Sequence, residues 1–139
     1  MDSAATLALA VLLIVIGAVH FYWAAGGTRG IDLAIPSAPG TNSRPVFTPG
    51  RAGTAAVGVL LFAGAAVATG HLLPAVQTIL LRLMAAVFAL RAVGDFRCVG
   101  FFKRVKDTPF AVWDSRLFSP LCGILSLLAL AGSGLIGAR

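Results

Sequence analysis

The sequence predicts an all-α membrane protein, with four transmembrane helices in one compact bundle and a short interfacial helix before the fourth. Three observations carry this. Of the 139 residues, 58% are hydrophobic and only 12% are charged, where a soluble domain carries roughly 25% charged residues. Four apolar stretches come close to the ~20 residues needed to cross ~30 Å of hydrocarbon. The basic residues gather in two of the connections rather than spreading evenly.

The first span covers residues 4–25 of "MDSAATLALAVLLIVIGAVHFYW". No Lys or Arg precedes its apolar stretch, which is longer than a signal-peptide core, so it is expected to stay attached as a span. The second, 51–73, opens on "TPGR", with Thr48 placed to cap and Pro49 at the first helical position. The third, 75–94, follows Pro74. The fourth, 120–137, opens on "SPLC", where Ser119 and Pro120 repeat the cap and proline roles. In "DTPFAVWDSRLF" the same signal recurs at Thr108 and Pro109, predicting the short helix along the membrane surface. Phe101, Phe102, Phe110 and Trp113 are expected at headgroup level, with Lys103, Arg104 and Lys106 beside them. Residues 1–139 thus read as a single integral membrane domain.

The net charge of +6 is a matter of topology. Arg29, Arg44 and Arg51 lie in or beside the first loop, and Arg97, Lys103, Arg104, Lys106 and Arg116 lie in the third. The connection "GHLLP" has no Lys or Arg, and the C-terminus only Arg139. The positive-inside rule then places loops 1 and 3 in the cytoplasm and both termini outside. Attraction to anionic headgroups explains the basic excess, and no nucleic-acid partner is expected. Cys98 and Cys122 fall near the cytoplasmic face, where thiols stay reduced, and form no C-x-x-C, so both read as packing residues.

Small residues recur at four-residue spacing: Ala52, Ala56, Gly64 and Ala68 in the second span, Ala129, Ser133 and Gly137 in the fourth. Such faces let helices approach closely, inside the bundle or between subunits. The first loop, "GGTRGIDLAIPSAPGTNSRPVFTPG", is rich in Pro and Gly. At about 25 residues it exceeds the usual connection, as functional lids and linkers do. Its "GIDLAIP" is apolar enough to fold back over the bundle.

The polar residues of the spans converge. Gln77, Met84, Phe88, Arg91 and Asp95 share one stripe of the third span, so Arg91 and Asp95 are placed to pair at i, i+4. His20 and Trp23 are one turn apart at the same end of the first span, and Asp114 and Arg116 arrive at that level before the fourth. Charges beside a span mark a functional site by default. His20, Asp95 and Asp114 are therefore the candidate catalytic acid and base groups, and Trp23, Arg91 and Arg116 the candidate substrate-binding ones. The structural alternative is a neutralised Arg91–Asp95 pair holding the third loop to the bundle, with His20 donating to a backbone carbonyl. Arg82 lies off the stripe and is given no role in the site; snorkelling or a lipid headgroup would account for it.

Four motifs, "HFYWAAGG", the Pro-rich loop after it, "RAVGDFRCVGFFK" and "TPFAVWDSRLFSPLC", together resemble the bacterial membrane family known as domain of unknown function 3995. The resemblance spans essentially the whole chain. It implies four spans and brings no activity with it; the expected location is the cell inner membrane. Its motif positions here are His20, Trp23, Gly26, Gly27, Arg91, Gly94, Asp95, Arg97, Gly100, Phe101, Phe102, Lys103, Asp114, Ser119, Pro120 and Cys122. Cys98 departs from the family pattern, which leads one to expect an aromatic residue, usually Tyr, at this position.

Several chemistries are excluded or disfavoured. Haem held by two histidines of one subunit fails because His20 and His71 belong to opposite ends of the bundle. His20, Cys98, Asp95 and Cys122 offer zinc ligand types without a recognised spacing. Small multidrug exporters use a carboxylate in the first span, and none lies between Asp2 and Asp32. No G-x-S-x-G, H-E-x-x-H or phosphate-binding glycine loop is present. No metal or cofactor is expected.

Two functions remain. One is a membrane enzyme or binding protein for a lipid, isoprenoid or similar hydrophobic small molecule, with His20 or Asp95 moving a proton, Arg91 orienting an anionic group and Trp23 lining the pocket. The other is a noncatalytic accessory or assembly subunit that docks on a membrane protein partner or on its own copies while its basic loops bind membrane lipids.

Overall fold

Inside lipid a backbone must satisfy its own hydrogen bonds, and long apolar runs meet that demand as helices. The computed structural model describes residues 3–37, 45–70 and 72–136. Arg44, His71, Gly137 and Arg139, like Asp2, lie outside the described residues. In chain order the helices are α1 (Ser3–Ala24), α2 (Ile31–Ala34), α3 (Arg51–Thr69), α4 (Pro74–Val93), α5 (Pro109–Trp113) and α6 (Ser119–Gly132), with a π-helical turn, Asp114–Phe118, joining α5 to α6. Among the described residues four stretches are long and apolar enough to cross a membrane: α1, α3, α4 and the continuous run Pro109–Gly132. The short helix expected before the fourth span is therefore present, and it runs into that span without a break.

The helices pass up and down, with α1 packed along α3 and α6, and α4 along α6; α3 and α4 meet only thinly. Four leucines fill the centre: Leu9 and Leu13 of α1, Leu81 of α4 and Leu125 of α6, each fully buried. Between them lie Ala10, Ala65, Ala68, Ala85 and Ala129. A large residue facing a small one lets neighbouring backbones close on each other, the packing that holds helices where lipid removes the hydrophobic incentive. At the α1/α3 seam Gly17 lies against the Phe62 ring, which stacks edge to face with Phe21 at 5.5 Å. Leu7, Leu60, Leu83, Val87, Leu90 and Leu127 point outward, as lipid-facing side chains do.

Polar side chains inside the bundle bond to backbone carbonyls. Gln77 donates to the carbonyls of Val67 and Ala68 at 3.0 and 3.3 Å. Carbonyls in the last turn of a helix have no partner within it, so α4 caps α3 by way of Gln77. Ser126 donates to the Ala85 carbonyl at 2.9 Å, tying α6 to α4.

Several boundaries and faces differ from the sequence expectation. α3 stops at Thr69 and α6 at Gly132, short of 73 and 137, because the chain turns at Gly70 and again at Ser133–Gly134. Thr48 does not cap α3, whose N-cap is Gly50 without a side-chain bond. Ser119 is no cap either; it continues the helix from the π-turn. On α3 the buried face is Thr54, Gly58, Ala65 and Ala68, whereas Ala52 and Ala56 are exposed. That stripe turns toward α1, where Phe21 covers Gly58. Ala129 and Ser133 are buried as expected.

Loop 1 leaves α1 through a tether. Trp23 Nε1 donates to the Arg29 carbonyl at 2.9 Å, and the Arg29 amide donates to the Tyr22 hydroxyl at 3.3 Å. Gly27 lies flat on the Tyr22 ring, where any Cβ would collide. Beyond it α2, from "GIDLAIP", packs against α5, so this stretch does fold back and joins loop 3.

Candidate functional site

The ends of α1 and α4 and the starts of α3 and α5 share one end of the bundle, where a carboxylate is sealed in. Asp114 is fully buried, and four donors converge on it. Arg91 Nη2 reaches Oδ1 at 2.9 Å; the Gly100 amide at 2.8 Å, Lys103 Nζ at 2.9 Å and Ser119 Oγ at 3.1 Å all reach Oδ2. Lys103 is buried as well, and its remaining protons go to the Gly100 carbonyl at 3.0 Å and Ser115 Oγ at 2.7 Å. A buried ion pair is tolerated only when its other lone pairs and protons are met in this way.

The π-turn makes this geometry available. In an α-helix residues five apart point about 140° away from each other, which would carry Ser119 off Asp114. The i→i+5 pattern of the π-turn brings both to one side, and the Ser119 amide bonds the Asp114 carbonyl. Thr108 opens the run as expected, its Oγ1 accepting from the Ala111 amide at 3.1 Å.

The other partners come from a folded loop. α4 ends at Val93 because Gly94 takes φ 89°, and the next six residues curl back so that Phe101 donates to the Ala92 carbonyl at 2.8 Å. Asp95 organises the curl: its Oδ1 accepts from the amides of Arg97, Cys98 and Val99 at 2.9, 2.7 and 2.9 Å. What little burial it has pushes its carboxyl up, but the three amides outweigh this and hold it below its usual value of 3.8. Gly94 and Gly100 cross where the loop closes, and a Cβ on either would strike backbone of Val99 or Val93. Gly100, at φ 92°, can therefore present its amide to Asp114.

The expected Arg91–Asp95 pair does not form. The helix has ended before Asp95, which leaves the face that periodicity gave it; Arg91 pairs with Asp114 instead. Lys103 and Phe110, expected at headgroup level, are buried, Lys103 on Asp114 and Phe110 stacked on Phe118 with centroids 6.3 Å apart. Phe101, Phe102 and Trp113 are exposed as expected.

Of the six candidate residues, Arg91 and Asp114 are in direct contact. Asp95 is exposed and bonded within its own loop, and Arg116 is exposed without an ion pair among the described residues. His20 is half-buried, with Nδ1 2.8 Å from the Ile16 carbonyl and its ring edge to face with Trp23 at 5.4 Å. A carbonyl only accepts, so Nδ1 is the donor in this bond. Trp23 gives its Nε1 hydrogen to loop 1. Lys103, Gly100 and Ser119 are the contributors to Asp114 that were not among the candidates. The signals for Lys103 were its place among the motif positions and its position after Phe101 and Phe102, in a stretch too apolar to be all surface. Among the described residues no cluster of His, Cys, Asp or Glu is arranged to hold a metal ion. A hollow of about 550 Å³ lies at the opposite end of the bundle, lined by Ser3, Thr6, Thr69 and Gln77 among others.

Fold and site together define a small multi-pass helical membrane protein whose third loop is locked to its fourth span by a buried ion-pair network. The chain belongs to the family described as protein of unknown function (DUF3995), whose model matches residues 13–129. Among curated proteins and among solved structures, no similar chain is found.

Proposed function

We propose that this protein works by binding rather than by turnover. In this reading it sits in the inner membrane with loops 1 and 3 cytoplasmic and both termini outside, and its basic end engages anionic lipid headgroups. The observation that carries it is the sealing of Asp114. A general base needs a lone pair within reach of the substrate proton, yet Asp114, the carboxylate at the centre of the site, is fully buried under four donors, while Asp95 commits one oxygen to three amides of its own loop. The surface of that end is left to cations: Arg29, Arg51, Arg97, Arg104, Lys106 and Arg116 are exposed, against Asp32, Asp95 and Asp107. Each cation near an anionic surface is worth about 1 kcal/mol. Exposed Phe96, Phe101, Phe102 and Trp113 beside them suit the headgroup region.

Thermal unfolding of the detergent-purified protein with added lipid tests this, because a ligand that binds the folded state raises the midpoint by mass action. Phosphatidylglycerol is expected to raise it by several degrees and phosphatidylcholine not to. The difference should shrink in high salt and vanish in the triple variant R97Q/R104Q/K106Q. Equal effects of the two lipids on the wild type would count against the reading. The orientation has its own check: Cys98 should be labelled by a membrane-impermeant thiol reagent only after the cytoplasmic face is opened.

One observation favours a second reading, a membrane enzyme acting on an amphipathic substrate. His20 Nε2 makes no hydrogen bond among the described residues, and the ring lies edge to face with Trp23. His20→Ala should then fold normally and lose turnover or retention of a small molecule that the wild type carries.

A further inference from the structure

Arg82 stands apart from the charged end. It is the ninth of the 20 residues of α4, about 12 Å along the axis from Pro74 and about 17 Å from Val93, so it lies close to the middle of the span. Its side chain is exposed on the outer surface and, among the described residues, makes no hydrogen bond or ion pair. A charge at that depth is kept only where it meets a counter-charge, a polar cavity or the headgroups. Both ends of α4 lie farther along the axis than an arginine side chain extends, and the face around Arg82 is apolar, with Ile79 and Leu83 exposed beside it.

We propose that Arg82 is the anchor of a docking face for a transmembrane helix of another protein, one that carries an Asp or Glu near mid-membrane. Charge complementarity fixes the chemistry of the occupant: an arginine in hydrocarbon is best met by a carboxylate, which it can bind bidentately. A second copy of this chain does not supply one, since Asp114 is the only acidic residue within the four spans and is fully engaged. Ala75, Ala86 and Ala89 share the exposed face with Arg82, leaving room for a partner backbone to come close. This inference is independent of the reading given to the charged end, which lies on other helix ends and other residues.

The test is photo-crosslinking in native membranes. A photoreactive amino acid at Ala86 reports on the Arg82 face, and one at Leu60, on the outer face of α3, serves as control. The Ala86 probe is expected to give an adduct whose crosslinked peptide, read by mass spectrometry, is a transmembrane segment of another protein with Asp or Glu inside it. Arg82→Gln should cut that adduct at least tenfold, and Arg82→Lys, which keeps the charge, should retain most of it. The Leu60 probe should label lipid. An Ala86 adduct formed only with lipid, or with another copy of this chain, overturns the proposal. So does an adduct that persists undiminished in Arg82→Gln. Should Arg82→Gln fail to accumulate, the identity of the wild-type adduct and the Arg82→Lys result still decide.

Discussion

Lys103 Nζ lies 2.9 Å from Asp114 Oδ2, and both side chains are closed to solvent. A lysine from a loop and an aspartate from the start of a span are thus packed as core residues, and the third loop is held to the bundle through them. Removing one partner leaves the other charge buried and unmatched, which costs about 3–5 kcal/mol. Asp114→Asn, which strands both Arg91 and Lys103, should therefore lower the unfolding midpoint more than Lys103→Met, which leaves Asp114 its other three donors. Thermal unfolding of the two variants in the same detergent checks the order.

The crossing of Gly94 and Gly100 makes a sharper prediction. Both have φ near 90° and each backbone occupies the space of the other's Cβ. Gly94→Ala or Gly100→Ala cannot be absorbed by a side-chain shift, because the obstacle is backbone. Either should open the loop, read as rapid proteolysis between Asp95 and Lys106 under conditions where the wild type resists.

Asp95 predicts a pH dependence. Its folded pKa is depressed, so the stability it gives the loop is fully present above its ordinary value of 3.8 and is lost as pH falls through the lower folded value. Hydrogen exchange at the Arg97, Cys98 and Val99 amides, corrected for intrinsic rates, should stay protected from neutral pH to below 3.8 and fail only beneath that. In Asp95→Asn the protection should be weaker and lack the acid transition.

At the α1/α3 seam a Cβ on Gly17 would come within 2.6 Å of the Phe62 ring. Overpacking of this kind costs about 1–3 kcal/mol. Gly17→Val should lower the unfolding midpoint, and adding Phe62→Leu should recover part of the loss.

The spans were legible in the sequence because the demand of lipid on the backbone is written in composition alone. Thr108 was legible too, since a capping threonine followed by proline has few other readings. The misplacement of Asp95 has a definite cause: periodicity extends a helix until something stops it, and the positive φ of Gly94 is invisible to an angular count. Once the helix stops there, Arg91 is free for Asp114. Lys103 was hidden for a different reason. Composition assigns lysine to the surface, and only the three-dimensional return of the loop places its ammonium beside a carboxylate. The π-turn, which brings Ser119 to Asp114, leaves no mark that the sequence alone reveals, because residues five apart have no reason to meet in an ordinary helix.

The central claim is that the charged end binds anionic lipid and that its buried carboxylate is structural. Native mass spectrometry of the protein released gently from its own membrane, with the bound small molecules identified, tests this most directly. The account predicts anionic phospholipid on the wild type, retained in His20→Ala and lost in R97Q/R104Q/K106Q. A stoichiometric neutral or isoprenoid molecule, retained by the triple variant and lost in His20→Ala, would contradict it and make His20 the centre of the site.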